Sequence, residues 1–199
     1  ASDVYKRQGY LLDRDFPFVL YGRTRETLPY AFVDMDGKQA FEKACTYLAG
    51  LGHRRIALLN GEPGFMFPVG CREGYESGLF LSGLELDPDL IREWKHKDPS
   101  QSSYRWTLEL FKNDNPPTAI LFQTEAVNGI FKGLDELDLQ PGKDVALIGY
   151  DDLEIARIHR PSLSVLRPQA REAGQRVVNI LLEVIKGEDP GKFQEIHQV

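Results

Sequence analysis

The sequence predicts an α/β protein built on doubly wound parallel sheet. Two observations carry this prediction. Short apolar runs alternate with helical segments of about a dozen residues, which is the pattern of βαβ units. The runs are also continuous rather than alternating, as in Arg55-Ile56-Ala57-Leu58-Leu59, and that suits strands covered on both faces. Right-handed crossovers then follow by default.

Taken in order, Ala1–Gln8 has mixed charge and no period, and is expected to be a frayed or appended end. Phe16–Tyr21 is an apolar run ending at Gly22, with Pro17 at its start, where a missing N–H is tolerated. Leu28–Val33 is a second extended run. A helix is expected over about Gly37–Gly50, because Ala40, Phe41, Ala44, Tyr47 and Leu48 share one face. Asp36 is placed to cap it, and Gly50 or Gly52 to end it. Further strands are expected at Arg55–Leu59, Leu90–Trp94, Thr118–Phe122, Asp144–Gly149 and Leu163–Leu166. Helices are expected over Val69–Leu81, Ser100–Lys112 (capped by Ser100), Glu125–Leu137 and Ala170–Lys186. In the last of these, Val177, Val178, Leu181, Leu182 and Ile185 read as inward.

At 199 residues the chain can bury a sizeable core without a disulfide or metal staple. Thirty acidic against 24 basic side chains leave a net charge of −6, which argues against this chain gripping nucleic acid by itself. No apolar run approaches the roughly 20 residues of a membrane span. Two cysteines, Cys45 and Cys71, are too few for a disulfide framework or a zinc site, so a reducing cytoplasm is the expected location. The four histidines, His53, His96, His159 and His197, lack metal-ligand spacing. Neither a phosphate-binding glycine loop nor a nucleophile elbow is present, and no enzyme activity or cofactor is expected.

In doubly wound sheets the ligand site lies beyond the carboxyl ends of the strands. The residues there are Gly22-Arg23, Asp34-Met35-Asp36, Asn60-Gly61, Gln123-Thr124-Glu125 and Gly149-Tyr150-Asp151-Asp152. Arg72 follows early in the next helix, and Phe65 and Phe67 lie in the loop before it. Carboxylates accept hydroxyl hydrogens, an arginine fork donates to ring and hydroxyl oxygens, and an aromatic face covers the apolar side of a sugar. Two aspartates would repel a phosphate, so a neutral polyol suits the set better than an anion. Each residue also has a plainer role. Asp36 and Asp152 read as helix caps, Arg72 as a surface ion pair, Phe65 and Phe67 as loop packing, and Gln123 as solvated.

A longer pattern joins these pieces. Pro17-Phe18-Val19-Leu20-Tyr21-Gly22-Arg23 is followed by Val33-Asp34-Met35-Asp36-Gly37 and by Leu51-Gly52-His53-Arg54-Arg55-Ile56-Ala57. Then come Arg72-Glu73-Gly74-Tyr75, Gly149-Tyr150-Asp151-Asp152 and Leu163-Ser164-Val165-Leu166-Arg167-Pro168. In this order they resemble the effector-binding domain of the LacI/GalR (lactose-repressor/galactose-repressor) family of bacterial transcription regulators, over nearly all of Tyr10–Val199. The resemblance implies a type I periplasmic-binding-protein-like fold: two doubly wound lobes with a sugar effector in the cleft. It divides the chain into residues 1–51 with 169–187, and residues 52–168 with 188–199, the first lobe being incomplete and the helix-turn-helix headpiece absent. It implies ligand roles for Asp36 on the first lobe and for Arg72 and Asp151 on the second. Gln123 falls at a neighbouring pocket position and Asp98 at a variable one. It further implies a homodimer, operator DNA as a partner only through the headpiece, and no membrane partner. The alternative is the sugar-binding protein of an ABC uptake system, which shares the fold.

Overall fold

A computed structural model describes residues 2–25, 28–94, 98–152 and 154–199. Within them, strands gather into two sheets in which every pairing is parallel. The first sheet has the order β1 (Val19–Tyr21), β2 (Ala31–Met35), β8 (Gln194–His197). The second has the order β4 (Ile91–Glu93), β3 (Ile56–Asn60), β5 (Ala119–Gln123), β6 (Ala146–Tyr150), β7 (Ser164–Leu166).

The continuous apolar runs are explained by the second sheet. Alternate residues of a strand face opposite sides, and both sides are covered. Ile56, Leu58, Ala119 and Leu121 pack under α2 (Gly37–Gly50) and α3 (Met66–Leu81). Ala57, Leu59, Ile120 and Phe122 pack under α4 (Pro99–Phe111) and α5 (Val127–Glu136). Tyr75 of α3 is fully buried, and its hydroxyl donates to the Ile56 carbonyl at 2.8 Å.

Three expected assignments change. The helix Gly37–Gly50, expected in the first lobe, buries Ala40, Phe41, Ala44, Cys45 and Leu48 against β3, β5 and α3, so it covers the second sheet. The chain therefore crosses between sheets at Asp36 rather than near Gly52. The tail, expected with the second lobe, pairs as β8 with β2 from Phe32↔Gln194 to Met35↔His197 and completes the first sheet. On α7 (Ala170–Ile185) the buried residues are Ala173, Ile180 and Val184, while Val178, Leu182 and Ile185 are exposed. The first sheet has three strands, and α7 meets it through this one stripe.

Smaller differences follow local chemistry. Ser2–Leu12 is a helix (α1), where a frayed end was expected. Asp98, not Ser100, caps α4: its Oδ1 accepts from the Gln101 N–H at 2.9 Å, with Pro99 at the first helical position. A short helix, α6 (Glu154–Ile158), follows β6. His96 lies outside the described residues.

The polar strand β8 is anchored by one ion pair. Arg176 of α7 donates from Nε and Nη2 to the Glu195 carboxylate at 2.5–3.0 Å. Those bonds, with a further one from His197, hold the Glu195 carboxyl down at about 2. A depressed carboxyl stabilises the fold above its unfolded value of roughly 4.3, and the stabilisation fades as pH falls toward the folded value. Arg176→Gln is thus expected to be less stable than wild type at pH 7. Screening at these half-exposed side chains holds the gap to about 1 kcal/mol. Urea unfolding at a series of pH values should show the gap narrowing between about pH 4.5 and pH 2. A gap of constant size would show that the pair contributes nothing through charge.

Candidate functional site

The site forms where the carboxyl ends of both sheets meet. From the first sheet, β1 runs into Tyr21, Gly22 and Arg23, and Gly22 takes the left-handed φ of +97° that lets the chain turn. Arg23 Nε donates to Asp34 Oδ2 at 2.6 Å, and Asp34 Oδ1 accepts from the Met35 N–H at 2.9 Å. Asp34 is buried, so the arginine sits on a fixed base. At the mouth, Arg25 Nη2 donates to the Pro63 carbonyl at 2.8 Å, joining the loop after β1 to the loop after β3.

From the second sheet, β3 ends at Asn60, which is fully buried. Its amide nitrogen donates to the Pro68 carbonyl at 2.8 Å, and its Oδ1 accepts from Gln123 Nε2 at 3.0 Å. The next residue is Gly61, where a Cβ would stand 2.8 Å from Gln123 Oε1. Phe65 precedes α3 and is part-exposed. Phe67 packs on Tyr150 with ring centroids 4.6 Å apart. Trp94 follows β4 and stacks on Trp106 at 6.3 Å.

Some of these groups border an open cleft of about 510 Å³. Tyr21, Arg23 and Thr24 line it from the first sheet, and Phe65, Phe67, Trp94 and Gln123 from the second. Its size and mixture of aromatic walls with a few polar groups are those of small-molecule sites. Burial raises the pKa of the Tyr21 phenol, with Asp151 and Asp34 adding to the effect, so it remains a neutral hydroxyl.

The seven residues expected to bind ligand are divided by the structure. Phe65, Phe67 and Gln123 share the cleft. Asp151 lines a second hollow of about 740 Å³ with Asp152, Arg157 and Arg167, where the chain leaves β7 for α7. There Asp152 pairs with Arg157 and, at 3.3 Å, with Arg167. Asp36 lines neither space: its Oδ1 accepts from the Gln39 N–H at 2.9 Å and caps α2. Asp98 caps α4. Arg72 also lies outside both linings, paired with Glu76 at 2.9 Å and Glu93 at 3.3 Å. Asp36, Arg72 and Asp151 therefore do not share the lining of either hollow.

Sequence reasoning placed Arg23 at a strand end without singling it out, and gave Tyr21 and Trp94 no ligand role. Their signal was position: each stands at or just past the carboxyl end of a strand. Cys71 stands beside Arg72, but burial pushes its thiol well above the ordinary range, and Cys45 is pushed to about 12. Both remain protonated and unreactive.

Two parallel α/β lobes facing each other across a lined cleft define a two-lobe ligand-binding protein. Residues 45–197 match the family described as periplasmic binding protein-like domain. The HTH-type transcriptional regulator AglR of Rhizobium meliloti (strain 1021) is 32% identical over 187 residues, covering 90% of this chain and 51% of AglR. The HTH-type transcriptional repressor PurR of Haemophilus influenzae (strain PittEE) is 27% identical over 170 residues, covering 83% and 50%. Among solved structures, a regulatory protein of LacI family from Chloroflexus aggregans superposes with a TM-score of 0.88 at 29% identity, covering 96% of this chain and 69% of that one. The chain belongs to the periplasmic binding protein-like domain family, as a ligand-binding domain of the LacI/GalR regulators. It spans about half the length of the curated relatives it matches. Those relatives are named as transcriptional regulators. Among the described residues, no helix is long and apolar enough to cross a membrane.

Proposed function

We propose that the cleft binds a small sugar-like effector, and that closure of the lobes around it changes the affinity of the whole regulator for operator DNA. The observation that carries this reading is the composition of the cleft: hydrogen-bonding groups and aromatic faces converge on one space from both sheets. A ligand touching both lobes binds the closed arrangement better than the open one, and that difference is what moves the population. A coupling of about 1–3 kcal/mol corresponds to about 5–150-fold in operator affinity. The transcriptional regulator CelR, which has the same fold at 23% identity, has been solved as a cellobiose complex. That likeness supports the fold; the preference for a sugar rests on the lining. In this reading β1, β2, β8 and α7 form the first lobe, Asp151 stands close to Tyr21 at the rim, and the regulator acts as a cytoplasmic homodimer.

Phe65 tests the site with little risk to the fold, because it is part-exposed and its side chain makes no cap hydrogen bond to α3. Phe65→Ala is expected to weaken sugar binding about tenfold, the loss of one aromatic face at about 1.4 kcal/mol. Calorimetry measures the affinity, and thermal melting should show an unchanged midpoint. Equal affinity in the variant would move the site elsewhere. Fluorescence anisotropy of operator binding by the whole regulator, with and without the same sugar, tests the coupling. Operator affinity indifferent to saturating sugar would end the allosteric reading.

A further inference from the structure

We propose that the groove at the amino ends of the first sheet's three strands docks a proline-containing segment of another protein, flanked by arginine or lysine. The groove lies at the opposite ends of these strands from the effector cleft, and the proposal stands apart from the sugar reading.

The groove has a volume of about 420 Å³ and is walled by the three loops that enter the strands. Phe16, Pro17 and Phe18 lead into β1, Pro29 and Tyr30 into β2, and Gly187–Pro190 into β8. Its base is fixed. Tyr30 and Val184 are buried, the Tyr30 ring stacks on Phe18 with centroids 6.4 Å apart, and the Tyr30 hydroxyl is bonded to Thr24 at 3.0–3.1 Å. Phe16, by contrast, is 61% exposed, an aromatic side chain held at the surface beside prolines.

Backbone chemistry decides how a chain would lie there. Pro17, Pro29 and Pro190, one in each wall, have no N–H to give. The N–H groups of Asp15, Phe16, Tyr30, Gly187 and Glu188 are already bonded to carbonyls of Leu12, Leu11, Leu28, Val184 and Glu183. An incoming β-strand would find few donors to pair with. A polyproline II segment needs none: its own backbone is solvated, it rises about 3.1 Å per residue, and it docks by packing on aromatic grooves.

Charge decides what flanks that segment. The charged residues of the lining are Asp15, Glu188 and Asp189, all exposed and all acidic. Asp15 has no side-chain partner among the described residues. Asp189 accepts from the Gly191 N–H at 2.9 Å, and Glu188 pairs with Lys192 at 3.0 Å. Arg14, next to Asp15 in sequence, is drawn over the Tyr10 ring at 3.7 Å. Two walls of the groove thus carry acidic groups, and a basic segment is attracted where an acidic one is repelled. A second copy of this chain, at a net charge of −6, is the poorer match.

The test is fluorescence anisotropy of the 199-residue chain with three labelled peptides. One alternates leucine and proline between flanking arginines, one has glutamates for the arginines, and one has alanines for the prolines. The arginine–proline peptide is expected to bind about tenfold or more tighter than either of the others, and to weaken as salt is raised. F16S is expected to cost about tenfold in its affinity. D15N is expected to cost severalfold at low salt and little at high salt, a dependence that a merely structural change would not show. Asparagine tolerates the left-handed φ of +49° that Asp15 adopts, so this variant keeps the loop intact, and thermal melting checks both folds. No binding of the arginine–proline peptide up to about 1 mM, equal binding of the glutamate or alanine peptide, or wild-type affinity in both variants overturns the proposal. So does a concentration-dependent dimer in sedimentation that F16S abolishes, which would make the groove an interface between copies of this chain.

Discussion

Gly74→Ala is expected to destabilise the protein by about 3 kcal/mol, the upper part of the range for overpacking a closed interface. The reason lies in how α2 and α3 meet. Gly70, Gly74 and Gly78 recur every fourth residue and so share one face of α3. Along that face the two helices touch nearly backbone to backbone. A Cβ at Gly74 would stand 2.8 Å from the Lys38 carbonyl carbon and closer still to its oxygen. A Cβ at Gly78 would stand 2.6 Å from Cys45 Cβ. No rotamer relieves a clash with backbone, so the helices must separate and the core of Phe41, Cys45, Tyr75 and Leu79 must open with them. Alanine's better helix propensity returns about 1 kcal/mol at most. Gly174→Ala in α7 is the matched control, because nothing lies within 4 Å of a Cβ there. It is expected to gain about 0.5–1 kcal/mol. Urea unfolding of both variants measures the contrast. Wild-type stability in Gly74→Ala would mean that the helices can part without cost, and that α3 does not hold Phe65 and Phe67 in place through α2.

The parts of this fold legible in the sequence are those where one physical rule acts alone. Strands β3, β5 and β6 announced themselves as apolar runs because helices cover both of their faces. Strand β8 did not, because Gln194-Glu195-Ile196-His197 is polar and half-exposed at a sheet edge, and depends on Arg176, which lies on another element. The inward face of α7 was misjudged for a related reason. Apolarity marked Val178, Leu182 and Ile185, whereas a three-stranded sheet accepts only the stripe of Ala173, Ile180 and Val184. The lobe boundary was drawn at Gly52, where a helix ends. Which sheet α2 covers is decided by its fit to the glycine face of α3, a contact between segments far apart in sequence. The strand-end rule led to Gln123 and Arg23, and both line the cleft. The acidic pair Asp36 and Asp98 satisfied a plainer demand, since each accepts a backbone N–H at the start of a helix.

Asn60→Ala is expected to lose about 2–3 kcal/mol of stability and to weaken ligand binding with it. Asn60 stands at the end of β3 with no solvent exposure, and both ends of its amide are used. Truncation leaves the Pro68 carbonyl without its donor and Gln123 Nε2 without its acceptor. Each buried group left unmade costs about 1–3 kcal/mol, more than the net worth of the bond that held it. Gln123 is itself buried, and the Gly61 backbone close beside it leaves little room to turn toward water. Pro68 follows Phe67 in the first turn of α3, so its release also loosens an aromatic wall of the cleft. Asn60→Asp should not rescue, because a carboxylate cannot donate to the Pro68 carbonyl and carries charge into a site with no cation bonded to it. A double-mutant cycle with Gln123→Leu isolates the pair, with an expected coupling of about 1–2 kcal/mol. Urea unfolding gives the stabilities, and calorimetry with the tightest-binding sugar gives the affinities. If Asn60→Ala stays within about 0.5 kcal/mol of wild type, the ordinary scatter of surface changes, then the floor of the cleft is held by packing alone. In that case Gln123 would reach the ligand without Asn60 behind it.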